Sequence, residues 1–134
     1  MANYSYTLQT ENIIVNVRPE YLELESSPID NHYVWAYHVK IENKGDEAVQ
    51  LITRYWHITD GRGLVQEVNG HGVVGLQPVI EPKGKFDYAS SVSLNTPSGL
   101  MHGHYELKNS DNSLKKVLIP VFSLDSTEQL RMPN

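Results

Sequence analysis

Residues 54–75 read RYWHITDGRGLVQEVNGHGVVG, and they contain the strongest hairpin signal of the chain. Asp60-Gly61 lies between two apolar runs, where Asp-Gly is typical of a tight turn between antiparallel strands. We therefore predict a strand through Trp56 and Ile58, a turn at residues 60–63, and a short strand over residues 64–68. A glycine-rich loop over residues 70–75 follows that strand.

Alternating apolar residues continue this pattern over most of the chain, and a period of two is typical of strands. The two clearest inward faces consist of Tyr33, Trp35, Tyr37, Val39 and Ile41 and of Met101, Gly103, Tyr105 and Leu107. No apolar repeat with helical spacing extends over about 11 residues. Trp35 and Trp56 are the predicted anchors of the core, because a tryptophan buries about 150–250 Å².

Turn signals recur about every 8–12 residues, which favours a sandwich of two sheets. We predict an all-β fold, an immunoglobulin- or fibronectin type III-like β-sandwich of about seven antiparallel strands. The chain contains no cysteine. Its composition therefore favours the fibronectin type over an immunoglobulin domain with a disulfide bond.

Several positions interrupt the alternation. The apolar phase changes after Arg18-Pro19, which predicts a bulge or break there, on a strand that lies at an edge or changes sheets. The phase changes again after Leu51, which predicts a bulge. Gly45, in the polar segment 43–47, predicts a hairpin turn. Pro120 predicts a further edge strand. The inward residues predicted for that strand are Val117, Ile119 and Val121.

The 134 residues fit a single domain, which we place over residues 1–124, with a flexible tail over residues 125–134. The chain starts without the basic and apolar segments of a signal peptide, and it has no run of about 18 apolar residues. We expect a cytoplasmic protein with no membrane partner. The 16 acidic residues outnumber the 11 basic ones. No dense basic stripe is present, so we expect no nucleic-acid partner.

The segment 70–75 matches the pattern G-x-G-x-x-G through Gly70, Gly72 and Gly75. In dinucleotide-binding folds these glycines turn the chain tightly and place a pyrophosphate at a helix N-terminus. Residues 76–82 contain two prolines and predict no helix here. The pattern therefore favours glycines that shape a bent β connection, and a backbone nest for an anion is the alternative.

Six histidines raise the question of a metal site. His102 and His104 are two residues apart, so both rings project from one face of a strand. Two imidazoles are fewer than the four ligands usual for zinc, and His38, His57 or His71 would have to complete the set. We expect solvated or hydrogen-bonded histidines, with no metal and no other cofactor.

We predict no catalytic residue. The sequence lacks G-x-S-x-G, which presents a nucleophilic serine. Asp46 and Glu47 lie at a predicted turn, where solvated charges are expected. Arg54, next to Tyr55-Trp56, is a candidate for a stacked cationic surface. Its alternative role is that of an outward strand residue paired with an acid.

Four blocks of sequence carry a family resemblance: RYWHITDGRGLVQEVNGHGVVGLQPVI, PKGKFDYASSVSLNTPSGLMHGHYEL, SSPIDNHYVWAYHVKIEN and IPVFSL. Together they resemble the ApaG family over about residues 15–124. This resemblance implies a fibronectin type III-like sandwich. One departure affects a single turn, because relatives often have Pro-Gly where this chain has Pro82-Lys83-Gly84.

The ApaG family has no established catalytic residues that could be assigned to positions in this chain. Bacterial relatives are commonly encoded beside a diadenosine tetraphosphate hydrolase, and they are linked to cobalt and magnesium resistance. Similar eukaryotic domains are appended to F-box proteins and to a DNA polymerase-interacting protein, which implies a role in protein interaction. Gly70, Gly72 and Gly75 fall on the family's glycine motif.

We therefore predict a non-enzymatic binding module with a protein partner. The predicted ligand or partner loop includes Gly70, His71, Gly72, Gly75 and, from the preceding strand, Arg54. Strands near Pro19 and Pro120 are candidate edges for strand addition. The alternative function is a sensor that binds a pyrophosphate-containing nucleotide, with a divalent cation, at residues 70–75. A third hypothesis is metal binding through His102 and His104.

Overall fold

Nine strands follow one another along residues 4–126, the part of the chain that the computed structural model describes. In chain order they are β1 (Tyr6–Thr10), β2 (Ile13–Tyr21), β3 (Tyr33–Asn43), β4 (Val49–Asp60), β5 (Val65–His71), β6 (Val79–Ile80), β7 (Lys85–Leu94), β8 (Ser98–Lys108) and β9 (Leu114–Asp125). Two short 3-10 helices, Glu23–Glu25 and Pro28–Asp30, connect β2 to β3.

The strands form two antiparallel sheets. One sheet has the order β1-β2-β3-β7, and the other has the order β5-β4-β8-β9, with β6 paired to the first residues of β4. The predicted all-β, fibronectin type III-like sandwich is confirmed. The described residues form nine strands where the sequence predicts about seven, because β1 has only two apolar residues and β6 is only two residues long.

The core lies between the two sheets and is built from alternate residues of each strand. In β3 every second residue is buried, from Tyr33 to Asn43, and the residues between them face outward. Trp35 and Trp56 are both buried, as predicted. Trp56 packs edge-on against Tyr37 and Phe122, with ring centroids 5.1 and 5.9 Å apart. Such tilted aromatic pairs contribute beyond the area that they bury.

The hairpin predicted at residues 43–47 is wrong. β3 pairs with β2 and β7, whereas β4 lies in the other sheet, so this segment carries the chain from one sheet to the other. The buried Asn43 holds the crossing: its Nδ2 donates to the carbonyl oxygens of Glu47 and Ile80, and its Oδ1 accepts the amide of Gly45. A polar glycine-containing segment serves a crossing as well as a hairpin, and the sequence does not distinguish them.

The bulge predicted after Leu51 is confirmed, because the register of β4 against β8 shifts between Leu51 and Thr53. The bulge predicted at Pro19 is wrong, since β2 pairs with β3 without a shift. The edge strand predicted around Pro19 is also wrong, because β2 lies between β1 and β3 in its sheet. Pairing with β1 ends at Val17, so the missing amide of Pro19 costs no ladder hydrogen bond.

The edge position predicted for Pro120 is confirmed, because β9 is the last strand of its sheet. The inward orientation predicted for Val121 is wrong. The register of β9 against β8 shifts between Met101 and Gly103, and this bulge turns Val121 outward and Phe122 inward. The bulge thus inverts the alternation over the last residues of the strand.

β9 continues to Asp125, and the amide of the buried Ser126 donates to the carbonyl oxygen of Pro97. Residues 127–134 of the predicted tail lie outside the described residues. Within residues 4–126 no helix is long and apolar enough to cross a membrane.

Candidate functional site

The glycine-rich segment begins inside a strand. β5 extends to His71, so Gly70 and His71 belong to the β4–β5 ladder, where they pair with Arg54 and Thr53. The predicted end of this strand at residue 68 is therefore three residues too early. The loop proper comprises residues 72–78, and it leads to β6 along the start of β4.

A two-residue turn forms the tip of this loop. The amides of Val73 and Leu76 each donate to the other residue's carbonyl oxygen, at 2.8 and 2.9 Å. The two residues between them both have positive φ, 44° at Val74 and 80° at Gly75. Positive φ at both central positions defines a type I′ turn, the tight connection that matches the twist of paired strands. Val73 is buried, which anchors the turn in the core.

Each glycine of the pattern has a structural reason. A Cβ at Gly70 would lie 2.6 Å from Cζ of Arg54, and one at Gly72 would lie 2.0 Å from the carbonyl oxygen of Leu76. Gly75 has φ 80°, and no atom lies near its missing Cβ. Glycine is therefore required at Gly72 by contact and favoured at Gly75 by backbone conformation.

The backbone amides of the loop are mostly engaged within the protein. The amide of Gly72 donates to the carbonyl oxygen of Ile52, and those of Val73 and Leu76 close the turn. Among residues 72–76 of the described chain, the amides of Val74 and Gly75 have no hydrogen bond. The chain then continues toward β6 and not into a helix, so the dipole that completes a phosphate site is missing here.

Arg54 holds the loop in place. It lies on the inward face of β4 with Trp56, so the alternative role, an outward residue paired with an acid, is wrong. Its guanidinium occupies the space above Gly70, and Nη1 donates to the carbonyl oxygens of His71 and Gly72 at 3.2 and 2.8 Å. Hydrogen bonds from a charged donor are stronger than neutral ones. Arg54 thus joins β4 to the loop.

A cluster of three tyrosines lies beside Arg54 between the sheets. The hydroxyl oxygens of Tyr88 and Tyr105 are 2.5 Å apart. Burial raises the pKa of Tyr88, of Tyr105 and of Tyr37, although the nearby charge of Arg54 lowers each pKa in part. The phenols therefore stay protonated near neutral pH.

The histidines of β8 lie on the outer face of their sheet, as predicted. His102 stacks on His57 with ring centroids 4.6 Å apart, and His104 stacks on Tyr55 at 5.0 Å. His38 is elsewhere, bound to Glu20 at 2.9 Å. Within residues 4–126, no three His, Cys, Asp or Glu side chains are grouped as a metal site.

Two groups of exposed aliphatic side chains are present that the sequence does not predict. Val74 and Leu76 at the loop tip are 55% and 54% exposed. The sequence signal for the first group is the pair of valines inside the glycine-rich segment. On the outer face of the β5-β4-β8-β9 sheet, Leu118 and Val121 are 47% and 57% exposed. The second group could not be predicted, because it depends on the bulge in β9 that turns Val121 outward.

The sheet order and the loop after β5 define a class of protein, the fibronectin type III-like sandwich with a hydrogen-bonded, glycine-containing loop. Within that class the chain belongs to the ApaG family, because the family model described as the ApaG domain matches residues 23–109.

Curated relatives and a solved structure agree with this assignment. Protein ApaG of Mesorhizobium japonicum is 52% identical over 120 residues, which are 90% of this chain and 92% of that protein. Protein ApaG of Paramagnetospirillum magneticum is 52% identical over 124 residues, 92% of this chain and 95% of that protein. The crystal structure of the putative ApaA protein from Bordetella pertussis is 42% identical, covers 85% of this chain and 93% of its own, and has a TM-score of 0.83.

Proposed function

We propose that this chain is a non-enzymatic binding module that engages a protein partner through the tip of the 72–78 loop. The observation that carries this proposal is the conformation of Val74. A β-branched residue at positive φ is a backbone outlier, and this one has φ 44° and is largely exposed.

Neither folding nor packing accounts for valine at this position. A left-handed conformation costs roughly 1–2 kcal/mol for a residue with a Cβ, and Asn is the usual residue before glycine in a type I′ turn. Packing does not offset this cost, since the side chain of Val74 is largely exposed. Backbone strain of this kind is characteristic of functional segments, which supports a role for the exposed methyl groups in binding.

The loop is also prepared to bind without rearrangement. Arg54 fixes its start, the buried Val73 anchors its middle, and two turn hydrogen bonds close its tip. A rigid loop loses little conformational entropy on association, so its exposed Val74 and Leu76 contribute more of their contact energy to affinity. His71 and Gly75 are exposed beside these two side chains and belong to the same candidate surface.

A binding role agrees with the chemistry of the interior. The phenols beside Arg54 stay protonated, and the Arg54 Nη1 atom is committed to the loop carbonyls. We infer that any link to cobalt and magnesium homeostasis or to diadenosine polyphosphate metabolism, which family membership implies, acts through a protein partner in the cytoplasm.

The test is quantitative affinity purification of the full-length chain from its native cells. Val74→Asp and Leu76→Asp place a charge at the tip, and Leu24→Asp makes the same kind of change at a fully exposed leucine in the first 3-10 helix. We expect the two tip variants to lose at least about tenfold of a partner that wild type and Leu24→Asp retain. Equal recovery by all four proteins would contradict the proposal.

The nucleotide-sensor alternative has less support, since only two adjacent amides of residues 72–76 are available to an anion. It is tested by an amide NMR titration with magnesium and ATP. We expect no saturable shifts at residues 70–75. Saturable shifts confined to that segment would favour the nucleotide sensor over the protein-binding module.

A further inference from the structure

The outer face of the β5-β4-β8-β9 sheet differs from the polar face expected of a sandwich exposed to water. Two adjacent rows of side chains cross the middle of it. One row consists of Glu67, His57 and His102, with Val121 at the bulge. The next row consists of Asn69, Tyr55, His104 and Leu118. We call these eight residues the double row.

The double row has the composition of an interface centre. Its aromatic rings are already ordered by stacking, His57 on His102 and Tyr55 on His104. Its only carboxylate, Glu67, accepts a hydrogen bond from the Tyr55 hydroxyl at 2.6 Å. Depletion of charge and enrichment of aromatic groups distinguish the centre of an interface from ordinary surface. Ordered rings also lose little side-chain entropy on binding.

The two rows have similar side chains at corresponding positions. Consider a two-fold axis that runs parallel to the face, between the two rows and perpendicular to the strands. Rotation about this axis places each row of one copy over the other row of a second copy. His57 then lies over Tyr55, His102 over His104, and Val121 over Leu118. Glu67 lies over the amide of Asn69 and not over another carboxylate. The double row therefore brings no two carboxylates into contact in this pairing, although the chain has a formal net charge of −5.

We propose that two copies of this chain associate through the double row, about this two-fold axis. An interface of this kind is isologous, the commonest arrangement among homodimers. The proposal does not rest on the proposed function, because it uses none of the residues of the 72–78 loop. A dimer of this geometry presents two loop tips.

The first experiment is sedimentation velocity of the full-length chain at pH 8, from roughly 10 μM to 1 mM, the range that detects weak association. We expect a monomer–dimer equilibrium for wild type. Leu118→Lys and Val121→Lys should each raise the dissociation constant at least about tenfold, because each change places two charges within the interface, at the β9 end of the paired rows. Leu24→Lys, outside the double row, should match wild type. A monomeric wild type at all concentrations, or a dimer that both row variants retain, overturns the proposal.

The second experiment tests the axis. The chain has no cysteine, so an introduced thiol is the sole one. Leu118→Cys protein mixed with Val121→Cys protein should form a mixed disulfide faster than either variant forms one alone, because the two positions face each other across the axis. A yield in the mixture no greater than in the separate variants overturns this geometry. Thermal unfolding of each variant confirms that the fold is intact, since both positions are exposed.

Discussion

Nη1 of Arg54 lies 2.8 Å from the carbonyl oxygen of Gly72, so a charged side chain on the inward face of β4 closes the loop that follows β5. Replacement by methionine keeps most of the volume and removes the donors. We expect Arg54→Met to lower the free energy of unfolding by roughly 1.5–3 kcal/mol, the usual contribution of a hydrogen bond with a charged partner. Chemical denaturation measures this loss. A variant as stable as wild type would show that the contact contributes nothing.

The glycines of the loop differ in their tolerance of a side chain. Gly72→Ala creates a contact of 2.0 Å with the Leu76 carbonyl, whereas Gly75→Ala meets no atom. We expect about 1–2 kcal/mol of destabilisation at Gly75, from the left-handed backbone alone, and a larger loss at Gly72. Gly63→Ala, at φ 86° and also without neighbours, is the matched control for Gly75. Thermal unfolding of the three variants gives the order, and equal losses at Gly72 and Gly75 would contradict it.

Substitution of Val74 tests whether this valine is present for binding at the expense of stability. Asn adopts the left-handed conformation more readily than valine and is preferred before glycine in a type I′ turn. We expect Val74→Asn to raise the free energy of unfolding by about 1 kcal/mol and to weaken partner binding. Denaturation together with affinity purification measures both effects. A stabilised variant that binds its partner as wild type does would leave the valine unexplained.

Trp56 is central to the core. We expect Trp56→Ala to cost roughly 3–5 kcal/mol, the range for truncation of a large buried aromatic side chain. Trp56→Phe should cost much less, because the indole Nε1 is buried without a hydrogen-bond partner among the described residues. The comparison of the two variants in urea separates packing from hydrogen bonding. Similar losses in both would mean that the indole nitrogen contributes after all.

His104 makes stability depend on pH. Burial, then the charge of Lys116, lowers the pKa of His104 below its ordinary 6.5, although Glu106 acts in the opposite direction. Above pH 6.5 the ring is neutral in both states. As the pH falls below 6.5 the unfolded chain binds the proton first, so the free energy of unfolding decreases.

We therefore expect the stability difference between wild type and His104→Gln to shrink between pH 8 and pH 5. The glutamine variant loses the Tyr55 stack at every pH, but it does not bind a proton. Melting curves of both proteins across that range provide the measurement. A difference that grows as the pH falls would reverse the sign and exclude a lowered pKa.

Most of the fold could be predicted from the sequence, because each long strand buries one face. The alternation in β3 and β8 reports that burial directly, and the shift at Leu51 is visible as a change of phase. The crossing at residues 43–47 could not be predicted, because turn-forming residues do not specify which sheet the chain enters next. The bulge in β9 could not be predicted either, because proline and the two aliphatic residues beside it are compatible with an inward or an outward orientation.

The candidate site was predictable in part. The hairpin turn sets the β4–β5 register, and this register places Arg54 opposite Gly70. Inward Trp56 then implies an inward Arg54, although arginine is seldom buried without a partner. The sequence does not show that the space above Gly70 accommodates the guanidinium. The strain at Val74 and the pairing of the double row depend on backbone geometry and register between distant strands, which no local pattern encodes.

The crossing of the chain between the two sheets also affects how the protein folds. β4 pairs with β8, joining Asp60 to Gly99, while β3 pairs with β7, joining Tyr33 to Leu94. In the sequence, strands of the other sheet lie between the two partners of each long-range pairing. Neither sheet can therefore be completed alone. The local β4–β5 and β8–β9 hairpins are available early, but closure of both sheets requires a large loss of chain entropy. Chains dominated by such distant pairings fold in about milliseconds to seconds, and during that interval a newly made copy exposes open strand edges to its neighbours.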